Sequence, residues 1–304
     1  MQNSILIVGM NIGKVYGEEL SKRNWKVDYV DIDSKKEPTF LSLEQVKSKN
    51  QYDAAIICTP NYLHEEHMEY CAKNLVKGFG YIFYEKPGIK NIINVNHMKF
   101  KYHCNFVMTK NNLFRPQLVG LRDLIYTQQK LISDISINWT NKNRIPFPGH
   151  WFTNKEKAFG GVSRDLLPHL LHFMCGIVER SKLSLKDHKK VSNFNMNTIT
   201  STDYGEINNI NPVYDVDDSC YMIFKYSNNN TFDIKLNASW KTLDGSEERN
   251  ITINYKDGTK FVFEFGLCPA IYYGDMIEQI YNRQIDDKFL SELDNFVGYC
   301  MEII

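Results

Sequence analysis

Short apolar runs and amphipathic stretches take turns along the first third of the chain. "SILIVG" reads as a buried strand and "IGKVYGEELSKR" as the helix behind it; "KVDYVDID" and "SLEQVKSK" repeat the pair. "DAAIICTP", "HEEHMEYCAKN", "YIFYEKP", "NIINVNHMKF" and "HCNFVM" continue as strand, helix, strand, helix and strand. Strands separated by helices at this spacing predict a parallel sheet with crossover connections, in which ligands gather at the carboxyl ends of the strands.

After "RPQLVGLRDLIYTQQK" the period changes. "LISDISINW", "CYMIFKY", "TFDIKLNASW", "NITINY" and "KFVFEF" alternate in part at every second residue, with Asn, Gly and Asp turns between them in place of helices. This texture predicts a large, mostly antiparallel, open sheet. The polar, Asn-rich stretch from Asn193 to Asp218 reads as a long loop or lid, and residues 274–304 as helices that pack back on the body. The expected fold is therefore α/β: a Rossmann-like doubly wound parallel sheet over residues 1–115, then an α+β domain over 116–304.

Composition narrows the partners. The chain's 304 residues suit two domains, and 43% hydrophobic with 24% charged residues is the balance of a globular protein with a real core. Lys plus Arg equals Asp plus Glu at 36 each, so no global field draws nucleic acid or an anionic membrane. Seven scattered cysteines without CxxC spacing argue against a disulfide framework or a zinc site. The N-terminus has no basic region or cleavage site of a signal peptide, and no apolar run reaches the ~20 residues of a membrane span. The chain reads as cytoplasmic.

"IVGMNIGKVYGEEL" follows a strand and opens a helix, the context of a dinucleotide fingerprint. Gly9, Asn11, Ile12 and Gly13 form a loop one residue short of G-x-G-x-x-G. Its requirement is close backbone approach at a helix N-terminus, where unpaired N–H groups bind phosphate. Asp31, at the end of the second strand, would bind the ribose hydroxyls of NAD. Asp33 is a rival for that role, and Ser34, Lys35 and Lys36 leave NADP open.

Two further strand ends, "CTPNYLHEEH" and "YEKPG", fall where such a sheet places ligand contacts. In "FGGVSRDLLPHLLHF", a double glycine precedes Asp165 and His169, which lie one turn apart if the segment is a single helix, with His172 a turn further on. The motifs "TPNYLH", "EKP" and "GG…DLLPH", in this order and together with "FVMTKNNLFRP", resemble the Gfo/Idh/MocA oxidoreductases over essentially the whole chain.

The resemblance implies an NAD(P)-dependent oxidoreductase that moves a hydride between nicotinamide and a hydroxyl or keto carbon of a sugar, sugar acid or cyclitol. It also implies a homo-oligomer, dimer or tetramer, formed through the second domain's sheet. The family's lysine in "EKP" corresponds to Lys86, and its acid and histidine to Asp165 and His169. Two positions depart from the pattern: the central loop glycine is replaced by Asn11 or missing, and the glycine two residues after the aspartate is Leu167. Thr59, Pro60 and Asn61 would run along the nicotinamide and ribose, although Asn61 equally suits an Asx turn. His64 would touch cofactor or substrate, or sit exposed at a helix start. Pro87 reads as a cis or rigid turn that fixes Lys86, and Glu85 pairs with a pocket base or caps the turn.

His169 is the expected base, because imidazole titrates near ~6.5. Asp165 would hold its ring or bind a substrate hydroxyl, and Lys86 would stabilise charge on the reacting oxygen. Arg144 is a candidate for an anionic substrate group and Trp151 for stacking on a sugar, against plainer readings as a surface arginine and a core anchor. A glycosidase-type reaction that uses transient oxidation, and a non-catalytic sugar or nucleotide sensor, are the competing functions.

Overall fold

The computed structural model describes residues 2–47, 50–193 and 213–304. Of the stretch expected to form a lid, 194–212 lie outside the described residues. The chain divides into two units, Met1–Asn111 with Cys268–Tyr299, and Asn112–Leu267 with Cys300–Ile304. Sequence reading assigned everything after residue 115 to the second domain; the segment Cys268–Tyr299 instead belongs with the first.

The first unit is built on β1 (Ser4–Val8), β2 (Lys26–Val30), β3 (Tyr52–Ile57), β4 (Val76–Tyr84) and β5 (Asn105–Met108), all parallel in the order β2-β1-β3-β4-β5. Helices α1 (Gly13–Lys22), α2 (His64–Asn74) and α3 (Ile92–Tyr102) make crossovers. The expected helix in "SLEQVKSK" is only a single 3-10 turn, Leu43–Gln45. The apolar runs that predicted strands are the core: Ile5, Leu6, Ile7, Ile56, Ile57, Phe83 and Tyr84 are fully buried. Because β2 and β3 lie on opposite sides of β1, the chain leaves the sheet in two directions there and opens a crevice at the strand ends.

The C-terminal helices complete this unit through polar as well as apolar contacts. On the helix Ile271–Tyr281, Asp275 takes a 2.6 Å ion pair from Arg23 of α1, and Gly274 leaves the room that the guanidinium fills. On the helix Asp287–Ile303, Asp294 is buried; one carboxylate oxygen accepts from the Met108 N–H at 2.9 Å and the other faces the buried Lys110 ammonium at 3.0 Å. Patterning marks that helix as amphipathic, but a charge pair between strand end and helix has no sequence signature.

The second unit carries β6 (Ile132–Thr140), β7 (Leu183–Val191), β8 (Ser219–Ser227), β9 (Thr231–Ser239), β10 (Glu248–Tyr255) and β11 (Lys260–Glu264) in the order β11-β10-β6-β9-β8-β7. Only the central β6–β9 pair is parallel. Strand β7, "LSLKDHKKV", escaped the sequence reading because its charges hide the alternation; such charges suit an edge strand, which must not invite further pairing. The helices α6 (Val162–Asp165) and α7 (Leu167–Ile177) pack on the sheet at β6, β8 and β9; α4 (Gln117–Gln128) packs on α7, and α5 (Lys155–Ala158) precedes α6. Among the described residues no helix is long and apolar enough to cross a membrane.

Removing one partner of a buried ion pair strands the other charge, at about 3–5 kcal/mol. We therefore expect Asp294→Ala to lower unfolding free energy by that order in urea titration. A loss under ~1 kcal/mol would mean that Lys110 finds water or another acceptor.

Candidate functional site

At the crevice of the first unit lies a cavity of about 340 Å³. Gly9 forms its floor with φ +93°, and a Cβ there would stand 2.7 Å from the Cys58 carbonyl oxygen, so only glycine lets the two strand ends meet. Met10 and Asn11 line the wall beside it. Helix α1 then starts without a side-chain cap; its Lys14 and Val15 N–H groups bond the Met10 and Ile12 carbonyls at 3.3 and 3.0 Å, and the helix N-terminus keeps the positive end of its dipole toward the loop. Gly13 serves another end: a Cβ there would lie 2.7 Å from the Ile7 side chain, so this glycine seats α1 on β1. It does not line the cavity, and neither does Ile12.

Asp31 lines the cavity, whereas Asp33 caps the turn Ser34–Lys36 through the Lys35 N–H. Burial pushes the Asp31 carboxyl up, but the N–H groups of Asp33 and Met10 and the Lys36 ammonium at 3.0 Å outweigh it and hold the group below the usual carboxylate range. Three donors occupy a carboxylate that can accept roughly four, so one position remains for a hydroxyl. Thr59 and Pro60 line the same cavity.

The remaining cofactor candidates stand elsewhere. His64 is fully buried and lines nothing; its Nδ1 lies 2.7 Å from the Gly88 carbonyl oxygen and its Nε2 2.7 Å from that of Thr59. The expectation of an exposed helix-start histidine is thus corrected: the ring joins the end of β3 to the Lys86-Pro87-Gly88 turn. Asn61 is buried in the adjoining 3-10 turn, Asn61–Leu63. Glu85 accepts a 2.6 Å hydrogen bond from the buried Tyr16 phenol, which anchors the Lys86 turn to α1. Lys86 itself is half-buried, and its bond to Pro87 is cis.

In the second unit the predicted helix breaks. α6 ends at Asp165 and α7 begins at Leu167, because Pro168 has no N–H to continue the ladder, so Asp165 and His169 belong to different helices. The double glycine is explained by Asp217. Its carboxylate accepts from the Gly161 and Ser163 N–H groups and the Ser163 hydroxyl, and a Cβ on Gly161 would fall 1.7 Å from the Asp217 carbonyl oxygen. Asp165 accepts from the Trp240 indole at 2.8 Å. His169 stacks on Trp139 at 5.2 Å between ring centroids, and its Nδ1 lies 3.2 Å from the Asn112 amide nitrogen. His172 is buried. Trp151 is no core anchor; it is half-buried and stacks on Phe152 at 4.0 Å. Arg144 is half-buried, its N–H bonded to the Trp240 carbonyl.

Asn112, Trp139, Asp217 and Trp240 were missed. "NNLFRP" drew attention only as a resemblance, and Asp217 lies 54 residues from the Ser163 it caps. The two tryptophans end neighbouring parallel strands, a register that alternation alone does not reveal.

Fold and cavity define a two-unit α/β protein whose first unit is a dinucleotide-binding Rossmann domain. Residues 4–101 match the family described as oxidoreductases with an NAD-binding Rossmann fold, GFO_IDH_MocA. It is 28% identical over 136 residues to a protein of Amycolatopsis mediterranei (strain S699) named as a UDP-kanosamine synthase oxidoreductase subunit. That match covers 44% of this chain and 36% of the relative, so it spans about a third of the relative's length. In fold the chain is similar to GenD2 from gentamicin A biosynthesis, solved with NAD: TM-score 0.73, 14% identity, covering 99% of this chain and 92% of that one. It is also similar to the WlbA dehydrogenase of Bordetella pertussis, solved with NADH and UDP-GlcNAcA: TM-score 0.68, 13% identity, covering 100% and 94%.

Two carbonyls facing His64 call for two N–H groups, which only the imidazolium has. Burial nevertheless dominates and pulls the ring's pKa down to about 4. Since the unfolded ring titrates near ~6.5, the unfolded chain binds the extra proton first. The stability tied to neutral His64 is thus complete above pH ~6.5 and lost as pH falls toward 4, by up to about 3 kcal/mol. Urea unfolding at pH 7 and pH 4.5 is expected to show a steeper acid loss for the wild type than for His64→Asn. Equal slopes would assign the acid sensitivity to other groups.

Proposed function

We propose that this protein is an NAD-dependent dehydrogenase or reductase that moves a hydride between nicotinamide and a hydroxyl or keto carbon of a sugar, sugar acid or cyclitol. The observation that carries the reading is the Asp31 carboxylate in the switch-point cavity of a domain whose family binds NAD. The residues fit the cofactor: Gly9 and the uncapped start of α1 suit the pyrophosphate, and Asp31 suits the adenosine ribose. When bound, the nicotinamide supplies the hydride chemistry. Lys86 is proposed to stabilise charge on a reacting oxygen, and Asp165 and His169 are proposed as the acid and the base of the chemistry.

The relatives' sugar and sugar-nucleotide names support a carbohydrate-like substrate. The polar Asn138–Asn250 and Asn138–Asn237 pairs across β10, β6 and β9 suit the sheet for a homo-oligomer interface. The protein is proposed to act in the cytoplasm.

Fluorescence titration is expected to show NADH binding by the wild type, weakened ~10-fold or more in Asp31→Ala through loss of a charge-assisted hydrogen bond. No binding by the wild type would end the cofactor reading. Among sugars and cyclitols that are turned over, His169→Ala is expected to abolish turnover while NADH affinity holds. Undiminished turnover in that variant would remove His169 from the chemistry.

A further inference from the structure

A short turn carries Lys36 back onto the carboxylate that follows β2. Asp33 caps this turn: its Oδ1 accepts from the Lys35 N–H at 3.0 Å and its carbonyl from the Lys36 N–H at 3.1 Å. Glu37 closes the turn in the left-handed region, at φ +56°. Of Ser34, Lys35 and Lys36, only Lys36 lines the cavity, half-buried, while the other two are exposed. Its ammonium stands 3.0 Å from Asp31 Oδ2, and Asp31 is its one partner among the described residues. An ammonium has three donors, so two remain for a ligand. The cavity's other carboxylates, Glu44 and Glu66, are exposed, and neither pairs with Lys36.

The pair changes what the carboxylate can do. Asp31 Oδ2 accepts from the Met10 N–H at 2.8 Å and from Lys36, and Oδ1 accepts from the Asp33 N–H at 2.9 Å. With about two acceptor sites on each oxygen, Oδ2 is filled and Oδ1 can take one hydroxyl. A carboxylate open to both ribose hydroxyls selects NAD and repels a 2′-phosphate. Here the repelling charge is matched by an ammonium in contact with it, and that ammonium keeps the donors from which a phosphate accepts. We propose that Lys36 is a specificity-determining residue that opens the ribose site to a 2′-phosphate, so that the protein takes NADP as well as NAD. This rests on the cofactor half of the dehydrogenase reading and goes beyond it, since that reading needs Asp31 alone. Asp31 serves the unmodified ribose, Lys36 serves the phosphorylated one, and the ion pair holds both in place.

The test is fluorescence titration of the full chain with NADH and, separately, with NADPH. The wild type is expected to bind the two within ~10-fold of each other. Lys36→Met keeps the stem and removes the charge; it is expected to weaken NADPH at least ~10-fold and NADH less than ~3-fold. Retained NADH binding in that variant also reports that it is folded. Lys36→Arg is expected to keep NADPH binding, and Lys35→Met, at the exposed neighbour, to change neither affinity. Asp31→Ala is expected to do the reverse of Lys36→Met, weakening NADH and sparing NADPH. A wild type that favours NADH by more than the stated margin overturns the proposal, as does a ratio of the two affinities unmoved in Lys36→Met. Either result leaves the dehydrogenase reading standing. Binding of neither nucleotide by the wild type would overturn both.

Discussion

No side chain fits between the end of β1 and the end of β3, and the first unit is arranged around that restriction. Gly9 passes within van der Waals contact of Cys58, its N–H bonds the Val30 carbonyl at 2.8 Å, and the Cys58 N–H bonds the Val8 carbonyl at 2.7 Å. Three strand ends are thus tied at one point. Beyond it β2 and β3 diverge, and the gap between them becomes the cavity. The loop does not need a full G-x-G-x-x-G to achieve this. What it needs is the one glycine at the crossing and a helix that opens without a side-chain cap. The shortened loop meets both conditions, with Asn11 in the wall and Gly13 released to pack α1.

The second unit uses the same device for a different result. Gly161 lets the backbone at Asp217 pass where a methyl group would collide, and the Asp217 carboxylate satisfies the N–H groups that open α6. α6 then lasts four residues before Pro168 breaks the ladder. The break matters because an unbroken helix would put Asp165 and His169 on one face at fixed spacing. Here each is held separately, the acid by an indole from the end of β9 and the imidazole by an amide and a tryptophan from the end of β6. Backbone crowding places both groups, and neutral donors sit behind them.

Fold class, the parallel sheet and the open mostly antiparallel sheet were legible because burial imposes period on the sequence, and period survives without the structure. Gly9, Asn11, Asp31, Thr59 and Pro60 drew attention because they stand at strand ends, and all five line the cavity. The lost information is of another kind. His64 looked like an exposed helix-start residue, since nothing local shows that two carbonyls, from Thr59 and Gly88, close over it. Strand β7 was hidden by edge charges, and the affiliation of Cys268–Tyr299 depended on Arg23 and Lys110, far away in sequence. Polar pairings of long sequence separation leave no periodic trace.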